Sequence, residues 1–293
     1  MSSEARRVTG GHQKQLVKMF ESLCGRYSRW DIWSDFIFFS AAAISNAVDK
    51  SFAEEREKEY LSRSSKYKPA EMQTFAKMFA EVVNGMEHEP DQDFLGELYM
   101  ALGLGNDKNG QFFTPYNVCK AMSKMCNDEI KERIEQEHWI SVNDCACGAG
   151  ATLIAFANEC RDHGINYQKS VLFVAQDIDY VTGLMCYIQL SLMGCAGYVV
   201  IANTLTHPAQ CVDQKGLIPK SGQQVWYMPM YFHSIWHWRR VFSSVDTLMR
   251  PLSNENTPVH KSSQGDKEKA QEGFRQAVQV KINTDHNGQL TLI

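Results

Sequence analysis

The run Asp144-Cys145-Ala146-Cys147-Gly148-Ala149-Gly150 sets a carboxylate just ahead of two closely spaced glycines. Residues 139–143 before it read as a strand, and residues 151–162 after it as a helix. The glycines allow a tight turn and close approach of backbone to a ligand. The helix start turns its free N–H groups toward the same point. Asp144 at the strand's end suits a polar or cationic group, and a phosphate would avoid it. The motif therefore favours a nucleoside without phosphates over a dinucleotide. The competing reading is a plain glycine turn joining strand to helix. A second acid, Asp177, ends the next apolar run, V-L-F-V-A-Q-D-I-D at 171–179. In doubly wound sheets that position holds a ribose by its hydroxyls. Asp179 suits the other use of an acid there, as a helix N-cap. A third strand, 197–202, leads into Asn203, which is placed either to bond an adenine amino group or to form a turn.

These residues need a scaffold that brings strand ends to one rim. From about residue 110, strands at 139–143, 171–175 and 197–202 alternate with helices at 151–162 and 179–193, and 225–228 is a short strand candidate. That alternation predicts βαβ units and a parallel sheet, with right-handed crossovers aligning the strand ends. Helical periodicity marks 12–26, 30–48, 51–64, a stretch opening at Pro69, and 91–104. The predicted organisation is an α/β protein: a helical N-terminal domain at 1–109, a Rossmann-like domain at 110–250, and a polar linker with a C-terminal hairpin at 251–293. Asn287-Gly288 marks the hairpin turn.

Composition narrows the class. The chain has 293 residues, 44% hydrophobic and 22% charged, with a net charge of −4. This excludes global disorder and disfavours a uniformly basic nucleic-acid surface, though not a local basic groove. The longest near-apolar run, 36–45, is far short of the roughly 20 residues that span a bilayer. No apolar stretch follows the basic residues near the N-terminus, so a cytoplasmic protein without membrane partners is expected. The nine cysteines include no C-x-x-C pair, and free thiols are expected.

The order G-Q-F-F-T-P at 110–115, then D-C-A-C-G-A-G-A-T-L, A-Q-D-I-D and A-N-T-L-T, resembles the gamma-type N6-adenine DNA methyltransferases. It is most similar to the modification subunit of type I restriction–modification systems. The resemblance covers roughly 91–232. It implies a Rossmann-like S-adenosylmethionine-dependent core and DNA as partner. It also implies cofactor contacts from Phe113, Thr114, Pro115, Asp144, Ala146, Gly148, Gly150, Asp177, Ile178 and Asn203. Thr114 and Pro115 further suit the start of a helix over 116–135. Cys145 stands in place of the family's proline, Ala149 in place of a small hydroxyl residue, and Asn203 in place of an Asp.

The family's catalytic N-P-P-[YF] is absent. Its nearest match is Met228-Pro229-Met230-Tyr231. There Pro229 and Tyr231 would frame an extruded adenine, and Met228 stands where Asn should accept from the target amino group. A thioether is a weak acceptor. Losing a preorganised contact of this kind costs on the order of 10²–10³ in rate. Two readings stay open: an adenine methyltransferase with a degenerate motif, or a catalytically impaired homologue that binds DNA or a partner. After Tyr231 the chain offers too few strands for the family's seven-stranded sheet, and no target-recognition domain is evident. A partner subunit completing the sheet or supplying recognition is therefore expected. Three further clusters have ordinary alternatives. His233 and His237 have a zinc-compatible spacing but no evident third ligand, so no metal is expected. Trp236, Trp238, Arg239 and Arg240 suit either nucleic-acid stacking or a packed core with an arginine rim. Trp30, Trp33, Phe36 and Ile37 read as a core stripe, or as a partner surface if uncovered.

Overall fold

The structure, a computed structural model, describes residues 10–105, 113–125, 127–253, 282–284 and 290–292. Five helices come first: α1 (Gly11–Leu23), α2 (Arg29–Val48), α3 (Ala53–Ser64), α4 (Pro69–His88) and α5 (Phe94–Ala101). Their starts follow local chemistry. Ser28 caps α2 by accepting from Asp31 N at 3.0 Å. Pro69 opens α4, where its missing N–H costs nothing. Asp93 caps α5 by accepting from Gly96 N at 3.0 Å.

Helical segments α6 (Tyr116–Met125) and α7 (Asn127–Glu137) cover the helix expected over 116–135, with residue 126 between them outside the described residues. Then come β1 (Ile140–Asp144), α8 (Ala151–Asp162), α9 (Tyr167–Ser170), β2 (Val171–Asp177), α10 (Tyr180–Leu192) and β3 (Ala196–Ile201). After these follow β4 (Val225–Tyr227), a 3₁₀ turn (Pro229–Phe232) and α11 (Ser234–Ser253). The sheet order is β1-β2-β3-β4. β1, β2 and β3 are parallel, and β4 lies antiparallel on β3. β2 and β3 are buried on both faces, as parallel strands flanked by helices must be. β1 alternates buried and open positions. Its outer edge has no strand beside it among the described residues.

The chain divides into two compact units, one ending at Thr247 and one beginning at Leu248. In the first unit the main apolar core extends from Leu16 to Met228, and a second cluster around Tyr198, Leu217, Tyr231 and Trp236 packs on the sheet. Phe38 of α2 meets Trp226 of β4 edge-on, with ring centres 6.4 Å apart. Arg56 of α3 is buried, pairs with Asp49 at 2.9 Å and donates to the Val225 carbonyl at 2.8 Å. The helical segment and the sheet thus share one interior. Of the expected core stripe, Trp33, Phe36 and Ile37 are buried, and Trp30 is partly exposed. The second unit holds β5 (Ile282–Thr284) and β6 (Leu290–Leu292), paired antiparallel. The Asn287-Gly288 turn and the polar stretch 254–276 lie outside the described residues. Among the described residues, no helix is long and apolar enough to cross a membrane.

Candidate functional site

Parallel pairing carries the carboxyl ends of β1, β2 and β3 to one rim, with Asp144 opposite Ala175 and Asp177 opposite Ile201. The turn after β1 needs its glycines. Gly148 has φ +51° and Gly150 φ +97°, a region that side chains with a Cβ avoid. A Cβ on Gly148 would lie 3.1 Å from the Phe113 ring, and one on Gly150 would lie 2.9 Å from Cys186 Sγ. Phe113 therefore lies directly over the turn, and its ring also stacks on Tyr99 at 5.5 Å. Phe113, Thr114, Asp144, Ala146 and Gly148 line one cleft of about 80 Å³. Pro115 sits at the start of α6, where its carbonyl accepts from Val118 N. Residues 110–112 lie outside the described set.

The carboxylates hold the turn together. Asp144 accepts from Ala146 N at 3.1 Å and from the Thr152 hydroxyl. Asp177 Oδ2 accepts from Gly148 N at 2.8 Å. Its Oδ1 accepts from Asp179 N at 2.9 Å and from the Thr182 hydroxyl at 3.2 Å. A carboxylate offers about four acceptor sites, so roughly one remains for a ligand hydroxyl. Asp179 is the N-cap of α10, accepting from Thr182 N at 2.9 Å. Ile178 is 67% exposed beside Asp177, an open apolar face on this rim. Asn203 Oδ1 accepts from Leu205 N at 2.9 Å and Thr206 N at 3.3 Å. It is thus the turn former the sequence allowed, with its amide nitrogen left as a donor. This set suits hydroxyls and cations, and it repels phosphate.

Two buried amides escaped the sequence reading. Gln189 of α10 donates to Asp93 at 2.8 Å and to the Ala149 carbonyl at 2.9 Å, and accepts from Leu95 N at 3.0 Å. It ties α5 to the glycine turn. Gln176 of β2 donates to the carbonyls of Ala202 and His207 and accepts from Ala209 N at 2.8 Å, pinning the loop after β3. A lone polar residue inside an otherwise apolar run was the available signal for both.

Met228, Pro229 and Tyr231 are not at this rim, which corrects the expectation that they frame a base beside the cofactor residues. Because β4 runs antiparallel, it ends at the start of β3, where Met228 N donates to Gly197 O at 3.0 Å. At about 3.3 Å per strand residue, that is roughly 20 Å from Asn203. Met228 is fully buried. Tyr231 is buried too, donates to the Leu217 carbonyl at 2.8 Å and stacks on Tyr227 at 4.9 Å. The Arg240 guanidinium covers its ring at 4.1 Å. Trp236 is likewise core, donating to the Gln168 carbonyl at 2.8 Å, with Arg239 over it at 4.4 Å. Trp238 remains partly exposed.

The Cys147 thiol is pushed well above its ordinary range by hydrogen bonding with Cys186 and by burial, which suits a packed thiol and not a nucleophile. Cys119, Cys160, Cys186 and Cys195 are also free and buried. Among the described residues, no group of three or more His, Cys, Asp or Glu side chains is placed to hold a metal.

No curated protein matches the chain. A family model for N-6 DNA methylases matches residues 91–254, which runs from the segment before α5 through the sheet to the end of α11. That span covers more than half of the sequence and includes the glycine turn, Asp177 and the whole four-stranded sheet, so the chain belongs to the N-6 DNA methylase family.

Proposed function

We propose that this chain is an S-adenosylmethionine-binding member of its family that does not by itself carry adenine methylation through the Met228–Tyr231 segment. The observation that carries the reading is the separation of the two residue sets. Phe113, Thr114, Asp144, Ala146 and Gly148 line a cleft at one rim, and Met228 and Tyr231, from the segment nearest to N-P-P-[YF], are buried at the other. S-adenosylmethionine, when bound, supplies an electrophilic methyl group. On this reading Gly148 and Gly150 let the backbone approach it, Asp177 accepts from the ribose, and Ile178 and Asn203 border the adenine. Phe113, Thr114 and Pro115 close the cleft above the turn. The similarity to type I modification subunits fits a chain that works in a restriction–modification assembly on DNA. A partner subunit there would supply target recognition or pair with the open edge of β1.

The test is calorimetry with S-adenosylmethionine and S-adenosylhomocysteine, run beside radiolabelled methyl transfer to unmethylated DNA. Binding without transfer is expected from the chain alone. Adenine methylation by the chain alone would overturn the reading. Absence of binding to either nucleoside would remove the cofactor assignment.

A further inference from the structure

The wall between α5 and the segment before α6 encloses a second cavity of about 400 Å³, lined by Gln13, Asp93, Glu97, Met100, Phe113 and Thr114 among others. It shares Asp93, Phe113 and Thr114 with the cleft over the glycine turn. The larger cavity by itself falls within the roughly 300–1,000 Å³ of small-molecule sites. Among the described residues, neither lining includes a lysine or arginine. Asp93 is only 4% exposed. Its Oδ1 takes both available donors, Gly96 N and the Gln189 amide. Its Oδ2 has no hydrogen-bond partner among the described residues, and no cation there pairs with it. A buried carboxylate is costly unless a cation or a full set of donors compensates it. Burial pushes Asp93 up to about 6, with Glu97 adding to the rise against the two hydrogen bonds.

We propose that Asp93, assisted by Glu97, receives the α-ammonium of the amino-acid end of the nucleoside cofactor. This rests on the cofactor reading above and assigns the part of the ligand that the glycine turn and Asp177 leave uncontacted. Asp93 lines both the acidic cavity where that cation would lie and the cleft over the glycine turn where the nucleoside would lie. An uncompensated carboxylate in a cavity wall gains from an incoming cation what it lost in hydration. Gln189 then has a second role. By bonding Asp93 and Ala149 together it fixes the ammonium site relative to the turn.

The test uses the full chain and two ligands. S-adenosylhomocysteine carries the amino-acid end, and 5′-methylthioadenosine lacks it. Asp93→Asn keeps an acceptor for Gly96 N, since asparagine also caps helices. The variant is expected to weaken S-adenosylhomocysteine at least tenfold and to leave 5′-methylthioadenosine within twofold. In the unsubstituted protein, S-adenosylhomocysteine affinity should fall toward tenfold per pH unit below about 6, while 5′-methylthioadenosine affinity stays flatter. Asp93→Asn should abolish that difference.

The groups facing Asp93 are Glu97 on its own helix, Gln189 of α10, Tyr116 and Cys119 of α6, and Asp144 at the end of β1. A pH response that survives in Asp93→Asn would belong to them and would overturn the assignment. Equal weakening of both ligands, or of neither, would also overturn it while leaving the nucleoside site standing. If the unsubstituted protein binds neither ligand, the cofactor reading falls first and this proposal with it. Should Asp93→Asn fail to fold, Glu97→Gln carries the test: a several-fold loss confined to S-adenosylhomocysteine is expected, and no loss overturns the proposal.

Discussion

At the carboxyl rim of β1–β3, Asp144, Asp177 and Asn203 spend their oxygens on backbone N–H groups and keep some polar capacity in hand. At the opposite rim, Tyr231 has its hydroxyl on the Leu217 carbonyl, one face on Tyr227 and a guanidinium against its ring. Both rims belong to one sheet, and Tyr231 packs in a second apolar cluster, apart from the one that holds Cys147 and Ala149. The first rim is shaped by glycines that keep side chains away, so a ligand can approach. The second rim is filled by rings, and the hydroxyl and both faces of Tyr231 are already engaged. The comparison teaches that a motif match and a site differ. Met-Pro-Met-Tyr has the order of a base-binding segment, but its Met228 and Tyr231 are buried side chains at the other rim.

The largest effect that would break this contrast comes from restoring asparagine at the motif position. Met228→Asn puts an amide without a partner at a buried position and leaves part of the methionine's volume empty, at a cost of about 3–5 kcal/mol. Urea unfolding should show the loss, and methyl transfer to DNA should not rise. A gain of transfer would mean the aromatic rim is a site after all. Gly150→Ala probes the other rim. The backbone strain and the contact with Cys186 should cost about 1–3 kcal/mol and weaken S-adenosylhomocysteine at least tenfold by calorimetry. Retained affinity would show that the turn is only a connector.

Between pH 7 and 5 the ligand-free protein should gain about 1 kcal/mol from Asp93. Its folded value, about 6, lies above that of an unfolded Asp, so the contribution is present at low pH and is lost as pH rises through the folded value. Thermal melts of the unsubstituted chain against Asp93→Asn at the two pH values check the sign. The smallest effect is that of Tyr231→Phe, which removes one buried hydrogen bond for about 1 kcal/mol and should leave nucleoside affinity unchanged. A fall in affinity would link the two rims.

The elements around the glycine turn were legible because each has a short-range signal. β1, α8, β2, α10 and β3 lie where period and glycine placement put them, and Asp179 is the cap its position suggested. The direction of β4 was legible in part. Residues 203–224 show no helical period, and parallel strands require a crossover of a dozen or more residues, usually a helix. A loop that stays at the rim instead returns the chain antiparallel, and Ile201 N donating to Gln224 O marks that return. Gln176 and Gln189 stood out as polar residues in apolar runs, but their partners lie on other elements and could not be named from spacing.

What the sequence determined by itself is therefore local: the left-handed turn at Gly148 and Gly150, the helix caps, the periods of strands and helices, and the clustering of acids at strand ends. These follow from backbone sterics and from hydrogen bonds over a few residues, which need no knowledge of the rest of the chain. Tertiary structure alone decided that Met228 and Tyr231 lie in the core, that Asp93 faces the glycine turn through Gln189, and that the helical segment and the sheet share one interior. Those outcomes depend on which apolar faces bury one another and on which distant polar groups are left to pair. They are properties of the whole packing, and no window of sequence contains them.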